Sequence, residues 1–360
     1  MQGFVTIIGV IFAVSLLVII HEFGHYLIAR AFGMRVLTYS IGFGPTIARW
    51  RPKGSDTVFQ LCAIPMLGYV QVAGMNPTEA VDPKDRGSYA NARPLARFLM
   101  ILAGPLANYL AAFFAVFLLL GFGGEQLTHS ARATIDTVVS NRPAMSAGLQ
   151  PNDTIVAING ERIDNWTTMV ERIRGSRGRP LALRVENNGT IRDVNITPQP
   201  LDIGGQQVFG IGIGGPRAQY RPVTFSRALH GAFVGTARAT ADVMDVYSKL
   251  FRRKLPDAQL MGPVRMVQET ASQASKGWRE GLGAIAFISL QLFVMNLLPI
   301  PVLDGGRLLF LLYEMTLRRR PNAKVEQALL LGSMLPMVGL FVFLTSRELW
   351  AIVKRVLFHS

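Results

Sequence analysis

Residues 11–30 read IFAVSLLVIIHEFGHYLIAR, an apolar run that carries His21-Glu22-Phe23-Gly24-His25 near its end. The run suits a membrane-crossing helix, for which about 20 apolar residues cover ~30 Å of hydrocarbon. Residues four apart share one face of a helix, so both imidazoles of H-E-x-x-H can reach one cation while Glu22 points at a bound water. That is a zinc-hydrolase constellation. A competing reading makes the three side chains the polar end of a membrane anchor, lying among headgroups. Apolar residues continue past the motif as Tyr26-Leu27-Ile28-Ala29, however, which leaves three ionisable groups inside the spanning length, where they must be compensated by one another or by an ion.

The rest of the composition agrees with a membrane setting. Of the 360 residues half are hydrophobic and 17% are charged, with a mean hydropathy of +0.30. A net charge of +14 would suggest nucleic acid in a soluble protein. Here many basic residues flank apolar runs, so topology explains them and no nucleic-acid partner is expected. The single cysteine, Cys62, excludes an intramolecular disulfide framework and a cysteine-cluster zinc site, leaving His and carboxylate as ligand types. The first apolar run lacks a basic leader and outlasts a signal sequence, so it is expected to be retained.

The expected fold is a polytopic α-helical membrane protein of about four transmembrane helices, with a membrane-associated β-hairpin region and an inserted α+β module. Residues 1–35 hold the first helix. Residues 36–97 contain short β-like pieces (VLTYSIGFG, TVFQLCAIP, YVQVAGM) and a polar cytoplasmic loop. Irregular backbone at membrane depth is tolerated only where protein buries it or it lines a watery cavity, and an open edge there could pair with an extended substrate. Residues 98–122 form an uncharged second helix, in which Gly104-Pro105 permits close helix approach and Asn108 seeks a partner in the bundle.

Residues 131–200 are water-compatible. Thr134–Val139 alternates as a strand, Trp166–Ile173 has helical spacing, and Leu181–Val185 and Ile191–Ile196 flank an Asn187-Asn188-Gly189 hairpin turn. Residues 201–280 are linking and amphipathic, with Arg252-Arg253-Lys254 suited to lipid phosphates. Residues 281–317 make a third segment interrupted by Pro299 and Pro301, and residues 326–353 a fourth. Arg30, Arg35, Lys84, Arg86, Arg93, Arg97 and Arg318 to Arg320 place the H-E-x-x-H motif and Asp304 toward the cytoplasm and residues 131–200 outside; Lys354 and Arg355 count weakly against this.

A catalytic zinc takes three protein ligands and keeps a fourth position open. Beyond His21 and His25, the candidates are Asp304, Glu314, His129 and His230. The two histidines fall in regions read as external. Glu314 lies about three helical turns past Asp304, beside three arginines, and reads as a surface ion pair. Asp304 is the strongest choice.

Four stretches together closely resemble the site-2 protease family of intramembrane zinc metalloproteases, in the bacterial branch that includes the regulator of sigma-E protease. They are H-E-F-G-H, G-P-L-A-N (Gly104 to Asn108), A-G-L-x-P-x-D-x-I-x-x-I-N-G ending at Gly160, and N-L-L-P-I-P-V-L-D-G-G (Asn296 to Gly306). The third resembles the PDZ domain of membrane and envelope proteases, and the whole likeness covers nearly all of the chain. The resemblance implies Zn2+ held by His21, His25 and Asp304, Glu22 as general base, and Asn296, Pro299 and Pro301 near the substrate. Gly68 and Tyr69, on the hairpin edge, are expected to join them.

It further implies regulated cleavage of single-pass transmembrane proteins, such as anti-sigma factors or remnant signal peptides, in the lipid bilayer of a bacterial inner membrane after another protease has trimmed them. Two departures stand out. Asn152 replaces the glycine usual before the PDZ aspartate, and the chain has room for one PDZ module where better-known sigma-E regulators carry two. A transporter would be expected to show internal repeats, which are not seen. A membrane-anchored PDZ scaffold leaves H-E-x-x-H and Asp304 unexplained.

Overall fold

Four helices are long and apolar enough to cross a membrane: Ile8–Ala31, Pro94–Gly123, Trp278–Asn296 and Ala323–Ala351. The protein is therefore a polytopic helical membrane protein, as its apolar runs require. The structure is a computed structural model and describes residues 2–76, 78–126, 132–203, 206–215, 220–252 and 262–358. These fall into two units, residues 1–119 with 229–360 and residues 120–228.

The chain begins with α1 (Gln2–Ala31) and continues into two long strands, β1 (Val36–Trp50) and β2 (Val58–Val72). The strands pair antiparallel overall, but each is bent, and the residues Thr38 to Ile41 have neighbours on both sides. In one direction Tyr39 faces Val70 and Ile41 faces Gly68; in the other Tyr39 faces Phe59 and Ile41 faces Leu61. Two strands thus supply four rows. Among the described residues, no further strand covers the outer edge of Gly68–Val72.

Next comes α2 (Pro94–Gly123). It crosses α1 closely because small residues meet there: a Cβ on Gly24 would lie 2.2 Å from the Ala103 carbonyl oxygen. Ala29, Met34, Val36, Val72, Met100 and Ile101 share one buried apolar cluster with Leu308 and Leu311 farther along the chain. The buried guanidinium of Arg97 lies 5.7 Å from the Tyr89 ring centre, and burial pushes the Tyr89 phenol up to about 12, leaving it a neutral neighbour.

The second unit opens with β3 (Glu125–Gln126), β4 (Thr137–Val138), α3 (Pro143–Ser146), β5 (Thr154–Ile158), β6 (Glu161–Arg162) and α4 (Trp166–Gly175). It continues with β7 (Leu181–Asn187), β8 (Thr190–Ile196), β9 (Gln199–Ile203), β10 (Gln206–Gly210), β11 (Ile213–Gly214) and β12 (Tyr220–Arg221). Its main sheet runs β6-β5-β7-β8, and three two-stranded pairings, β9 with β10, β4 with β11 and β3 with β12, surround it. Ile135, Ile155, Met169, Leu183, Val185 and Ile211 form the fully buried centre. Asn188 and Gly189 both have positive φ, 49° and 82°, as the tight turn between two right-twisted strands requires.

One expected strand is shorter than its alternation suggests. Across residues 134–139 the chain changes partner: the Ile135 amide donates to Asp153, whereas the Asp136 amide donates to Gly214. Only Thr137–Val138 remains a strand. Asp153, fully buried, accepts from the Gln150 amide at 2.8 Å, Asn187 Nδ2 at 2.6 Å and Arg192 at 2.5 Å. Asp153→Ala is expected to destabilise this unit by about 2–3 kcal/mol, the scale of hydrogen bonds to a charged group. Hydrogen exchange of the β5, β7 and β8 amides in the intact protein measures it, and unchanged protection would show the carboxylate to be dispensable.

Five helices follow: α5 (Phe225–Phe251), α6 (Pro263–Lys276), α7 (Trp278–Asn296), α8 (Asp304–Leu317) and α9 (Ala323–Phe358). In the arginine cluster after α5 only Arg252 is among the described residues. Glu348, a buried charge within apolar α9, accepts from the backbone amides of Gly262, Val264 and Arg265. It caps the N-terminus of α6, whose unpaired amides favour a carboxylate.

Candidate metal centre

His21 and His25 stand one turn apart on α1, both buried. Asp304 reaches them from the far side as the first residue of α8, after the chain has left α7 and run irregularly through residues 297–303. Pro299 and Pro301 lie in this break, and neither can donate to a continuing helix. Gly305 and Gly306 let α8 fold back on it. A Cβ on Gly305 would come within 2.4 Å of the Leu297 carbonyl, and one on Gly306 within 2.3 Å of the Ile300 carbonyl oxygen. The first turn of a helix is also a favourable place for a carboxylate.

Three donor atoms converge. His21 Nε2 lies 3.1 Å and His25 Nε2 3.3 Å from Asp304 Oδ2, and the two imidazole nitrogens are 3.2 Å apart. Ligands held 2.0–2.1 Å from a tetrahedral zinc are about 3.3 Å from one another, so the triangle has the dimensions of a zinc face. Its electronic character agrees. His25 Nδ1 donates to the Met100 carbonyl at 2.8 Å, which leaves Nε2 facing Asp304. The buried Oδ2 of Asp304 has no polar partner beyond the two Nε2 atoms. A buried carboxylate oxygen facing two imidazole nitrogens suits a cation, which satisfies all three when neither nitrogen carries a proton. Among the described residues, these three form the group with metal-ligand spacing.

The surroundings are fitted to the rings. At Gly104 an added Cβ would fall 2.2 Å from His25 Nε2, so any larger residue would occupy the space of the imidazole. Pro105 follows inside α2 and cannot donate to the Ile101 carbonyl one turn back. On the other ring, His21 Nδ1 is 3.2 Å from the side-chain amide of Asn108.

Glu22 lies toward the sheet. Its carboxylate faces the Val70 amide, and its Cγ would be 3.2 Å from a Cβ placed on Gly68. Gly68 therefore lets β2 approach the carboxylate. The adjacent Tyr69 accepts from Gln60 Nε2 at 2.9 Å and is part-exposed. Asn296 is the last residue of α7, immediately before the break.

Glu314 does not join the three donors. It accepts from Arg97 at 2.6 Å, both side chains being nearly buried, and lies 3.4 Å from Arg320. The expected pair with the triple arginine is present through Arg320, but Glu314 is nearly buried, because Arg97 at the start of α2 meets it from the interior. His230 is exposed on α5, and His129 lies outside the described residues. The Met100 carbonyl, the Val70 amide and the clearance at Gly104 carry no sequence pattern of their own; G-P-L-A-N marks the place without giving the contacts.

Comparison with known proteins is consistent along the chain. The model of peptidase family M50 matches residues 9–340. Two proteins share the name "putative zinc metalloprotease": one from Rhizobium meliloti is 31% identical over 347 residues, covering 90% of each chain, and one from Clostridium acetobutylicum is 32% identical over 317 residues, covering 87% of this chain and 88% of its own. The zinc metalloprotease RasP of Geobacillus kaustophilus is 27% identical over 401 residues, with 90% and 92% covered.

Proposed function

Because the chain belongs to peptidase family M50 and is a zinc metalloprotease of the site-2 type, we propose that it hydrolyses a peptide bond in or near the transmembrane segment of single-pass membrane proteins, with His21, His25 and Asp304 holding the zinc and Glu22 as general base. The observation that carries this reading is the triangle of donor atoms 3.1–3.3 Å apart, set beside Glu22.

When bound, zinc supplies Lewis-acid activation of water and of the scissile carbonyl. Glu22 takes the proton of the attacking water and delivers it to the leaving amine. A helical substrate hides its carbonyls in intrahelical hydrogen bonds, so the segment to be cut must unwind. The uncovered edge at Gly68–Val72 can take an extended strand by backbone pairing, and Gly68, Tyr69, Asn296, Pro299 and Pro301 are the proposed substrate contacts.

The basic flanks support an active site toward the cytoplasm of a bacterial inner membrane. Residues 131–200 are read as a single PDZ-like module that selects substrates already trimmed by another protease, as anti-sigma factors or remnant signal peptides would be. Asn152, at φ 71°, takes the left-handed conformation that suits the glycine of that motif. The test is a purified, zinc-loaded protein in vesicles with a single-pass substrate whose membrane segment contains glycines. Cleavage is expected to stop on chelation, return with zinc, and slow when the glycines become leucines. Cleavage that persists after the metal is removed would overturn the reading.

A further inference from the structure

We infer that Asn108 is a positioning residue for the metal, holding His21 so that its Nε2 presents a lone pair to the zinc; this rests on the ligand assignment above. The two histidines are anchored by different chemistry. His25 Nδ1 meets a main-chain carbonyl, Met100, at 2.8 Å. A carbonyl only accepts, so it fixes the proton on Nδ1. His21 Nδ1 meets a side-chain amide, at 3.2 Å, which offers a donor at one end and an acceptor at the other.

With the amide nitrogen facing it, His21 Nδ1 must accept. The ring proton then sits on Nε2, aimed at Asp304 Oδ2 3.1 Å away, and that nitrogen is closed to a metal. With the amide turned by 180°, Oδ1 accepts from Nδ1–H and the Nε2 lone pair is open. Both orientations fit one site, since nitrogen and oxygen of an amide are nearly the same size. Only the turned form serves the metal, because it alone leaves the Nε2 lone pair open. Asn108 is fully buried, and the amide atom that faces away from the ring, Oδ1 as placed, has no hydrogen-bond partner, so no contact on that side pins the amide against the turn. The residue is also held from behind, where its main-chain carbonyl accepts from Ser289 Oγ at 2.8 Å, so the side chain is presented to His21 by two packed helices, α2 and α7.

Partners of this kind typically account for 10–100-fold in metal affinity. The experiment measures zinc affinity of the full-length protein in detergent by competition with a chelator, for the parent, Asn108→Leu, Asn108→Asp and Ser289→Ala. Asn108→Leu offers Nδ1 nothing and is expected to bind zinc 10–100-fold more weakly. Asn108→Asp keeps an acceptor and is expected to match or exceed the parent. Ser289→Ala removes the support behind Asn108 but leaves the amide facing the ring, and is expected to weaken zinc binding by about threefold at most, less than the loss in Asn108→Leu.

Zinc affinity within twofold of the parent for Asn108→Leu would overturn the inference. So would an Asn108→Asp as weak as the Leu variant, or an equal loss in Ser289→Ala, which would make the effect one of helix packing. Should Asn108→Leu not fold, 15N NMR of the zinc-loaded parent decides: a proton on His21 Nδ1 supports the assignment and a proton on Nε2 refutes it. A parent that holds no zinc, or that keeps it in His21→Ala, overturns the ligand assignment and this role together. A parent that binds through His21 with Asn108→Leu unchanged overturns this role alone.

Discussion

Glu22→Gln is expected to keep zinc at the parent level and to lower cleavage by about 10²–10⁴-fold, the range that general acid–base catalysis contributes. The amide has the size of the carboxylate and can still face the Val70 amide, so the packing of α1 against β2 is retained. What it lacks is basicity: it cannot take the proton of the attacking water or return one to the leaving amine. Zinc content and turnover are measured on the same preparation in vesicles. Wild-type turnover would exclude Glu22 as the base, and loss of zinc along with activity would move it into the ligand set. Glu22 follows a ligand directly in sequence, yet it faces the sheet, with Gly68 beside it and the Val70 amide facing its carboxylate.

Asp304→Ala is expected to reduce zinc from about one per chain to a small fraction and to abolish cleavage, because two histidines alone leave the metal one ligand short of a catalytic site. The substitution also removes the only carboxylate among the three converging donors, hence the charge that offsets the ion. Asp304→Asn, which keeps an oxygen without the charge, is expected to fall between the two. Elemental analysis and turnover after reconstitution with added zinc are the measurements. Normal zinc content and proteolysis in Asp304→Ala would remove Asp304 from the site. Glu314 could not simply replace it, since its carboxylate is already committed to Arg97 at 2.6 Å.

The site was legible wherever its geometry is local. His21 and His25 are four residues apart, and the helix alone sets them on one face. The interruption before Asp304 follows from Pro299 and Pro301, which cannot sustain helical hydrogen bonds. The number of apolar runs gave the four spans, since each must bury about 20 residues in hydrocarbon. Where a segment's partner changes along its length, alternation misled: Thr134–Val139 alternates, yet the chain hands over from Asp153 to Gly214 between Ile135 and Asp136. Glu314 pairs with Arg320 as its neighbouring arginines suggest, but its depth and its shorter contact, to Arg97, come from α2, which its local sequence does not show.

By itself, then, the sequence determined the membrane class, the histidine pair with its glutamate, and the broken segment ahead of Asp304, all consequences of composition or of spacing within one element. Tertiary structure alone decided what the rings lean on and what the base faces: the Met100 carbonyl and the Asn108 amide from α2, the clearance at Gly104, the Val70 amide, and the double-sided pairing of Thr38 to Ile41. Each of these is a contact between elements distant in the chain, fixed by how closely helices and bent strands can approach. No local pattern encodes such a distance, because the same Asn or Gly in a membrane helix is compatible with many packings until its neighbour arrives.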